Sequence, residues 1–171
     1  TEMKHIESVV RQAGHLVIKA SVKGTRVTRA RAYNADHPSP QVGDVWVECQ
    51  HKDYTKKEMH SLGVDIVDHH YEGDPGYGRP PAEYWSASSV GQVYSILSLE
   101  RTELAKMIAA GDHCLYAAYH NMCPDVSQKD FIAHRMAHFG KFSDPDKFSA
   151  EYNKVVTAFK RCGVIKLGSL E

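Results

Sequence analysis

The sequence lacks a long apolar run, an excess of charge of either sign, and any dense set of cysteines. Each absence excludes something. Nothing approaches the roughly 20 consecutive apolar residues that cross a bilayer, so no membrane partner is expected. Lys plus Arg and Asp plus Glu number 21 each, so no global field draws the chain to nucleic acid or acidic lipid. The four cysteines, Cys49, Cys114, Cys123 and Cys162, include no C-x-x-C pair. That is too sparse for a disulfide scaffold in a chain of 171 residues, and reduced thiols in a cytoplasmic setting are expected. No leader-type segment is visible at the start, and Thr1 in place of Met reads as a trimmed start. Residues 169–171 read as a cloning scar, leaving 1–168 as one expected domain. Repeats and low-complexity tracts are absent as well.

What the chain does have is histidine, 11 in all, which raises the prospect of metal or proton chemistry. Hydrophobic residues at 42% are enough to build a core. The spacing predicts a short helix over His5–Ala13 and strands over Leu16–Val22 and Thr25–Tyr33. "NADHPSPQVG" (34–43) reads as a loop. A third strand, "DVWVEC" (44–49), a helix over Lys56–Leu62 and a strand over Val64–Val67 follow. From Ala87 onward the period changes to that of helices. "SSVGQVYSIL" places Val90, Val93, Tyr94 and Leu97 on one face, with Ser86 or Ser88 as N-cap. Thr102–Asn121 reads as one long helix with Leu104, Met107, Ile108, Leu115 and Ala118 on its stripe. Gln128–Phe139 and Phe148–Cys162 are further helices. The expected fold is an α/β sandwich with a mostly parallel sheet and a helical second half.

In open parallel sheets, functional groups gather at the carboxyl ends of strands. Two strands here end in ligand-type side chains, Glu48 from "VWVEC" and Asp68, His69 and His70 from "DIVDHH". Alternation puts Asp68 and His70 on one face and His69 on the other, so one histidine as ligand with the others in support is the economical reading. Asp112 interrupts an apolar helical stretch, "AAGDHCLYAAY", where an unpaired carboxylate is costly to bury. The loop "DPGYGRPP" (74–81) is stiff. Its glycine N–H groups, Gly76 among them, can cradle a phosphate, Arg79 can clamp it, and Tyr77 or Tyr71 can stack on a base. Ser88 and Ser89 open a helix whose dipole suits an anion. Each of these also has a plain structural reading, as a packed turn or a simple cap. The basic run Lys19, Lys23, Arg26, Arg29 and Arg31 reads as a charged edge strand. His134 and His138 have an i, i+4 zinc-type spacing but lack the Glu of a hydrolytic motif, so a packed pair is expected.

"VDHH", an extended loop, "SSVGQV" opening a helix and a later Asp in an apolar helix together resemble the DHH phosphoesterase superfamily, over roughly Val45–Tyr119. The resemblance implies a DHH-domain-like fold and a divalent metal, usually manganese, with magnesium or zinc as alternatives. It implies Glu48, His69 and Asp112 as ligands, with Asp68 beside them, and His70 in contact with substrate; as a catalytic group His70 would be joined by Arg79, read from the loop as a clamp that offsets charge building on a phosphoryl group. The expected substrate is a phosphate-containing small molecule or short nucleic acid, and homo-oligomerisation is left open. The sequence departs from the family in its first strand. "LVIKASVKG" has neither acid nor histidine where a His-x-Asp-x-Asp pattern is usual. Asp36 and His37 in the next loop are the candidate substitutes. The alternative reading is a catalytically degenerate module that binds a nucleotide or partner protein without turnover.

Overall fold

The computed structural model describes residues 2–139 and, beyond them, only positions 150, 153 and 157. The chain groups into two compact units, 1–126 and 127–171. The helix expected over Phe148–Cys162 and the residues 169–171 lie outside the described residues, the three isolated positions apart.

The first unit mixes helices with two small sheets. Helix α1 (Glu2–Gln12) starts three residues before the expected His5 and is followed by Gly14 with φ +85°. Strands β1 (Ser21–Val22) and β2 (Thr25–Arg26) form a short antiparallel hairpin. The expected strand over Thr25–Tyr33 does not persist. After Arg26 the chain turns into a 3₁₀ helix, Arg29–Asn34. Gln50 N–H donates to Ala32 O (3.0 Å) and Ala35 N–H to Gln50 O (3.1 Å), so this segment is fastened to the stretch after β3 rather than to a ladder.

Strands β3 (Val45–Val47) and β4 (Asp65–Val67) pair in parallel, Trp46 opposite Ile66. This pair is the parallel sheet of the described residues, smaller than the sequence suggests, in an α/β fold whose second half is helical. The crossover between them is α2 (Lys56–Ser61). Thr55 opens it with a capping box: Thr55 Oγ1 accepts from Glu58 N–H (3.2 Å), and Glu58 Oε2 accepts from Thr55 N–H (2.7 Å). Trp46, Ile66, Val64, Met59 and Ala35 form the core beneath this layer.

The helical layer consists of α3 (Tyr84–Ala87), α4 (Ser89–Ile96), α5 (Glu103–His113) and α6 (Leu115–Tyr119). Helices α3, α4 and α5 pack on one another, α1 lies against α4 and α5, and α4 touches β4. Val90, Val93 and Tyr94 are buried on α4, as the periodicity predicts. The long helix expected over Thr102–Asn121 is instead broken at Cys114, whose φ −143° and ψ 52° are not helical. Its buried stripe agrees at Ala118 and differs elsewhere: Ala105, Ala109, Ala110 and Ala117 are also buried, while Leu104 and Leu115 are exposed. Small residues let neighbouring helices approach closely, and that outranks the pattern of large apolar side chains here. In the second unit, α7 (Gln128–Phe139) carries His134, while the side chain of His138 lies outside the described residues. None of the described helices is long and apolar enough to cross a membrane.

Candidate metal centre

Strand β4 runs from exposed Asp65 to buried Val67 and delivers Asp68, His69 and His70 at its end. Asp68 is buried and fully engaged. Its carboxylate accepts from the Tyr33 hydroxyl (2.8 Å), the N–H groups of His69 (2.7 Å) and His70 (3.2 Å), and His70 Nδ1 (2.7 Å). Burial alone would raise its pKa, but the bonds from His70, Tyr33 and the backbone reverse that and hold it low. Three of these bonds fall on Oδ1 and the Tyr33 bond on Oδ2, and no group of converging ligand atoms among the described residues includes Asp68. Its role is to hold His70, whose pKa it raises through the shared hydrogen bond. The Nε2 of His70 is left for other chemistry.

The remaining residues converge differently. Glu48 follows β3 with φ +50°, a left-handed conformation that costs a non-glycine residue on the order of 1 kcal/mol. Its N–H still donates to Val67 O (2.9 Å), so the sheet register holds to the last residue and then turns sharply. His69 Nε2 lies 2.7 Å from Asp112 Oδ2 and 3.6 Å from Glu48 Oε1. Asp112 comes from the last turn of α5. The fourth member is Glu2, in the first turn of α1. One oxygen each from Glu2, Glu48 and Asp112 lie within 4.8 Å of one another, and so do ligand atoms of Glu48, His69 and His70. Glu48 belongs to both groups.

This cluster is short of positive charge. Glu2 Oε1, Glu48 Oε1, Asp112 Oδ2 and His69 Nε2 are all buried without an aligned hydrogen bond. His69 Nε2 and Asp112 Oδ2 face each other at 2.7 Å, so the four atoms are one another's nearest polar neighbours, and such a concentration of acid calls for an explanation. Protonation supplies a partial one. Burial, then the neighbouring carboxylates of Asp112 and Glu48, push the Glu2 carboxyl up to about 12. Burial pulls His69 down, but Asp112 and Glu48 outweigh it and raise the imidazole to about 10. Asp112 is raised by burial and lowered further by His69 and Glu2, ending below its ordinary value.

The far side of His69 is also prepared. Its Nδ1 lies 3.4 Å from His113 Nδ1, and His113 Nε2 lies 3.0 Å from Arg79 O. The tautomers that satisfy both contacts have His113 donating to the carbonyl and His69 Nδ1–H donating to His113. That fixes the ring and leaves Nε2 toward the carboxylates, the orientation a metal-binding imidazole requires. Burial lowers the His113 pKa, which favours its neutral form.

The loop after β4 is built around Asp74, which accepts from Tyr71 N–H (2.6 Å) and from Lys56 Nζ. Gly76 N–H donates to Asp68 O (3.1 Å) and is not free to cradle an anion. A Cβ at Gly76 would stand 1.9 Å from Ala87 O, so the position tolerates no side chain. Tyr77 is exposed. The Arg79 guanidinium is exposed too and pairs with Glu83 Oε2 at 2.7 Å, so it is the Arg79 carbonyl, not the guanidinium, that touches the site's histidines. Ser88 and Ser89 are fully buried. Ser88 Oγ accepts from Gly91 N–H and lies 3.2 Å from Trp85 O as an internal cap. Gln92 carries the more telling contact of that segment, its Nε2 donating to Asp68 O (3.0 Å) and Ala87 O (2.7 Å) and tying α4 to the end of β4.

Asp36 and His37 do not join the cluster. Both Asp36 oxygens accept from Lys23 N–H at 3.0 Å, bracing the hairpin turn, and His37 pairs with Ser21 through the backbone. Sequence reasoning missed Glu2 and His113. Glu2 lay outside the predicted helix, and a first-turn acid is ordinary helix chemistry. The signal for His113 was its adjacency to Asp112. The open groove beside α2, lined by Lys56, Lys57 and His60 among others, contains none of these residues. Comparison with protein-family models, with curated proteins and with solved structures finds no match.

Proposed function

We propose that the protein is a divalent-metal-dependent phosphoesterase of DHH type, acting on a phosphate ester or anhydride such as a nucleotide or short oligonucleotide. The observation that carries this is the set of four buried, unsatisfied polar atoms from Glu2, Glu48, His69 and Asp112. Carboxylate oxygens with one imidazole are the donor set of a hard or borderline divalent cation, manganese foremost, magnesium or zinc next. These residues would hold it. When bound, such a cation supplies Lewis acidity toward a phosphoryl oxygen and lowers the pKa of water. The chain's own groups do the rest. Asp68 orients His70 and keeps it protonated more readily, so that its free nitrogen can donate to a leaving oxygen. The exposed Arg79 guanidinium is held only by a surface pair with Glu83, of small worth, and can turn to a phosphate. Tyr77 is exposed beside it for contact with a base.

The test is turnover of short oligonucleotides, dinucleotides and pyrophosphate with manganese. Hydrolysis of at least one, lost in Asp112→Asn and in His69→Gln, is the expected result. Equal turnover in those variants would remove both residues from the mechanism.

A second reading is favoured by one specific observation. Among the described residues, β1 and β2 and the loop after them bring no ligand to the cluster, and Asp36 is engaged with Lys23. A site reduced in this way suits a module that binds a nucleotide or partner without turnover. Metal binding with no hydrolysis across the panel would favour it.

A further inference from the structure

We infer that Cys114 and Cys123 are a redox pair that closes to an intramolecular disulfide with a low-molecular-weight disulfide as oxidant. The Sγ atoms lie 2.8 Å apart, closer than an ordinary non-bonded contact between sulfurs and within about 1 Å of a bonded pair. Both cysteines are free thiols. The segment between them is short and compact: α6 (Leu115–Tyr119), then a turn in which Met122 N–H returns to Ala117 O (2.9 Å). That turn folds Cys123 back under the helix, against the residue that begins it. Little backbone movement is left to make.

Access differs between the two thiols and sets the order of events. Cys114 is partly exposed and Cys123 is buried at 4%. The Cys114 thiolate attacks one sulfur of the oxidant, forming a mixed disulfide and releasing one thiolate, which takes up a proton. Cys123 then attacks the Cys114 sulfur and expels the second thiolate, which is protonated in turn. Two protein thiols are oxidised, one small disulfide is reduced to two thiols, and no oxygen or metal is needed. The remaining described cysteine, Cys49, packs with the core beside Trp46 and Met59 and is not part of the pair.

The bond would sit at the elbow where α5 gives way to α6, directly after Asp112 and His113. It would restrain the segment that carries them, whatever reaction the cluster performs. The inference does not depend on the phosphoesterase reading.

The experiment is incubation of the full chain with oxidised glutathione, quenching with N-ethylmaleimide under denaturing conditions, and peptide mapping without reduction. The expected product is a Cys114–Cys123 linked peptide, two hydrogens lighter than the reduced form. It should revert with dithiothreitol, with Cys49 and Cys162 recovered alkylated. Recovery of Cys114 and Cys123 as alkylated thiols would overturn the proposal. So would a dominant link from either to Cys49 or Cys162, or a stable glutathione adduct on Cys114. The wild-type map decides the question without a variant. Cys123→Ser adds a check, since it should stop at the mixed disulfide on Cys114.

Discussion

Two carboxylate neighbourhoods sit at the end of β4, and they are opposites. Around Asp68 every donor finds an acceptor: one aspartate takes hydrogen bonds from a tyrosine, a histidine ring and two backbone N–H groups. Around Asp112 three acids crowd one imidazole, and the buried atoms facing one another lack aligned partners. The two are joined by His69 and His70, whose rings are 4.4 Å apart. Asp68 is the more buried, with 1% of its side chain exposed against 18% for Asp112, and the more saturated. A saturated carboxylate is structural and orienting, and a group of them without aligned partners is a place that could take a cation. Sequence alone ranks Asp68, His69 and Asp112 together, and only the partners tell them apart.

The largest expected effect separates the two neighbourhoods by activity. Asp112→Asn removes charge from the unsaturated group and should lower manganese-dependent turnover by more than about 100-fold, exceeding what supporting residues of metal sites cost. Steady-state rates across manganese concentrations check this. Asp68→Asn should cost about 10- to 100-fold in turnover while leaving manganese binding in place, because it acts through His70. Equal loss of metal in both variants would erase the distinction.

The pH dependence of stability should distinguish them as well. In the metal-free fold Glu2 and His69 hold protons that the unfolded chain releases near 4.5 and 6.5. Their contribution is fully present below those values and is lost as pH rises toward about 12 and about 10. Metal-free protein should therefore lose thermal stability from about pH 6 to 9, where Asp68, with its lowered pKa, stays ionised and contributes no slope. Manganese held by Glu2 and His69 would displace both protons, so its stabilising effect should grow over the same range. Thermal unfolding with and without manganese measures this. A flat metal-free curve would count against the charge assignment.

The smallest effects lie outside both neighbourhoods or between them. Gly76→Ala forces a Cβ onto Ala87 O and against His69 Cβ, so it should destabilise by about 1–3 kcal/mol in denaturant unfolding and disturb both groups at once. Thr55→Ala removes the capping box of α2 and should cost about 1 kcal/mol with turnover unchanged.

The sequence was most informative where local chemistry decides placement. Glu48, His69 and Asp112 were legible because ligand-type residues at strand ends, and a carboxylate in an alanine-rich helix, are expensive unless they have a use. The α4 face was legible because its apolar residues keep the helical period. What was not legible depends on partners distant in the chain. Glu2 enters the cluster only because α1 packs against α4 and α5. Asp68 is engaged by a hydroxyl from Tyr33, in a 3₁₀ helix that reads as a strand. The break at Cys114 has no proline to announce it, only Gly111 in the last turn of α5.

The central claim is that Glu2, Glu48, His69 and Asp112 together hold one divalent cation. Equilibrium titration with manganese, reading the free ion by electron paramagnetic resonance, tests it most directly. The account predicts near-stoichiometric binding by the wild type, sharply weakened in Asp112→Asn and in Glu2→Gln and kept in Asp68→Asn. A wild-type protein that leaves manganese free at every concentration would contradict it.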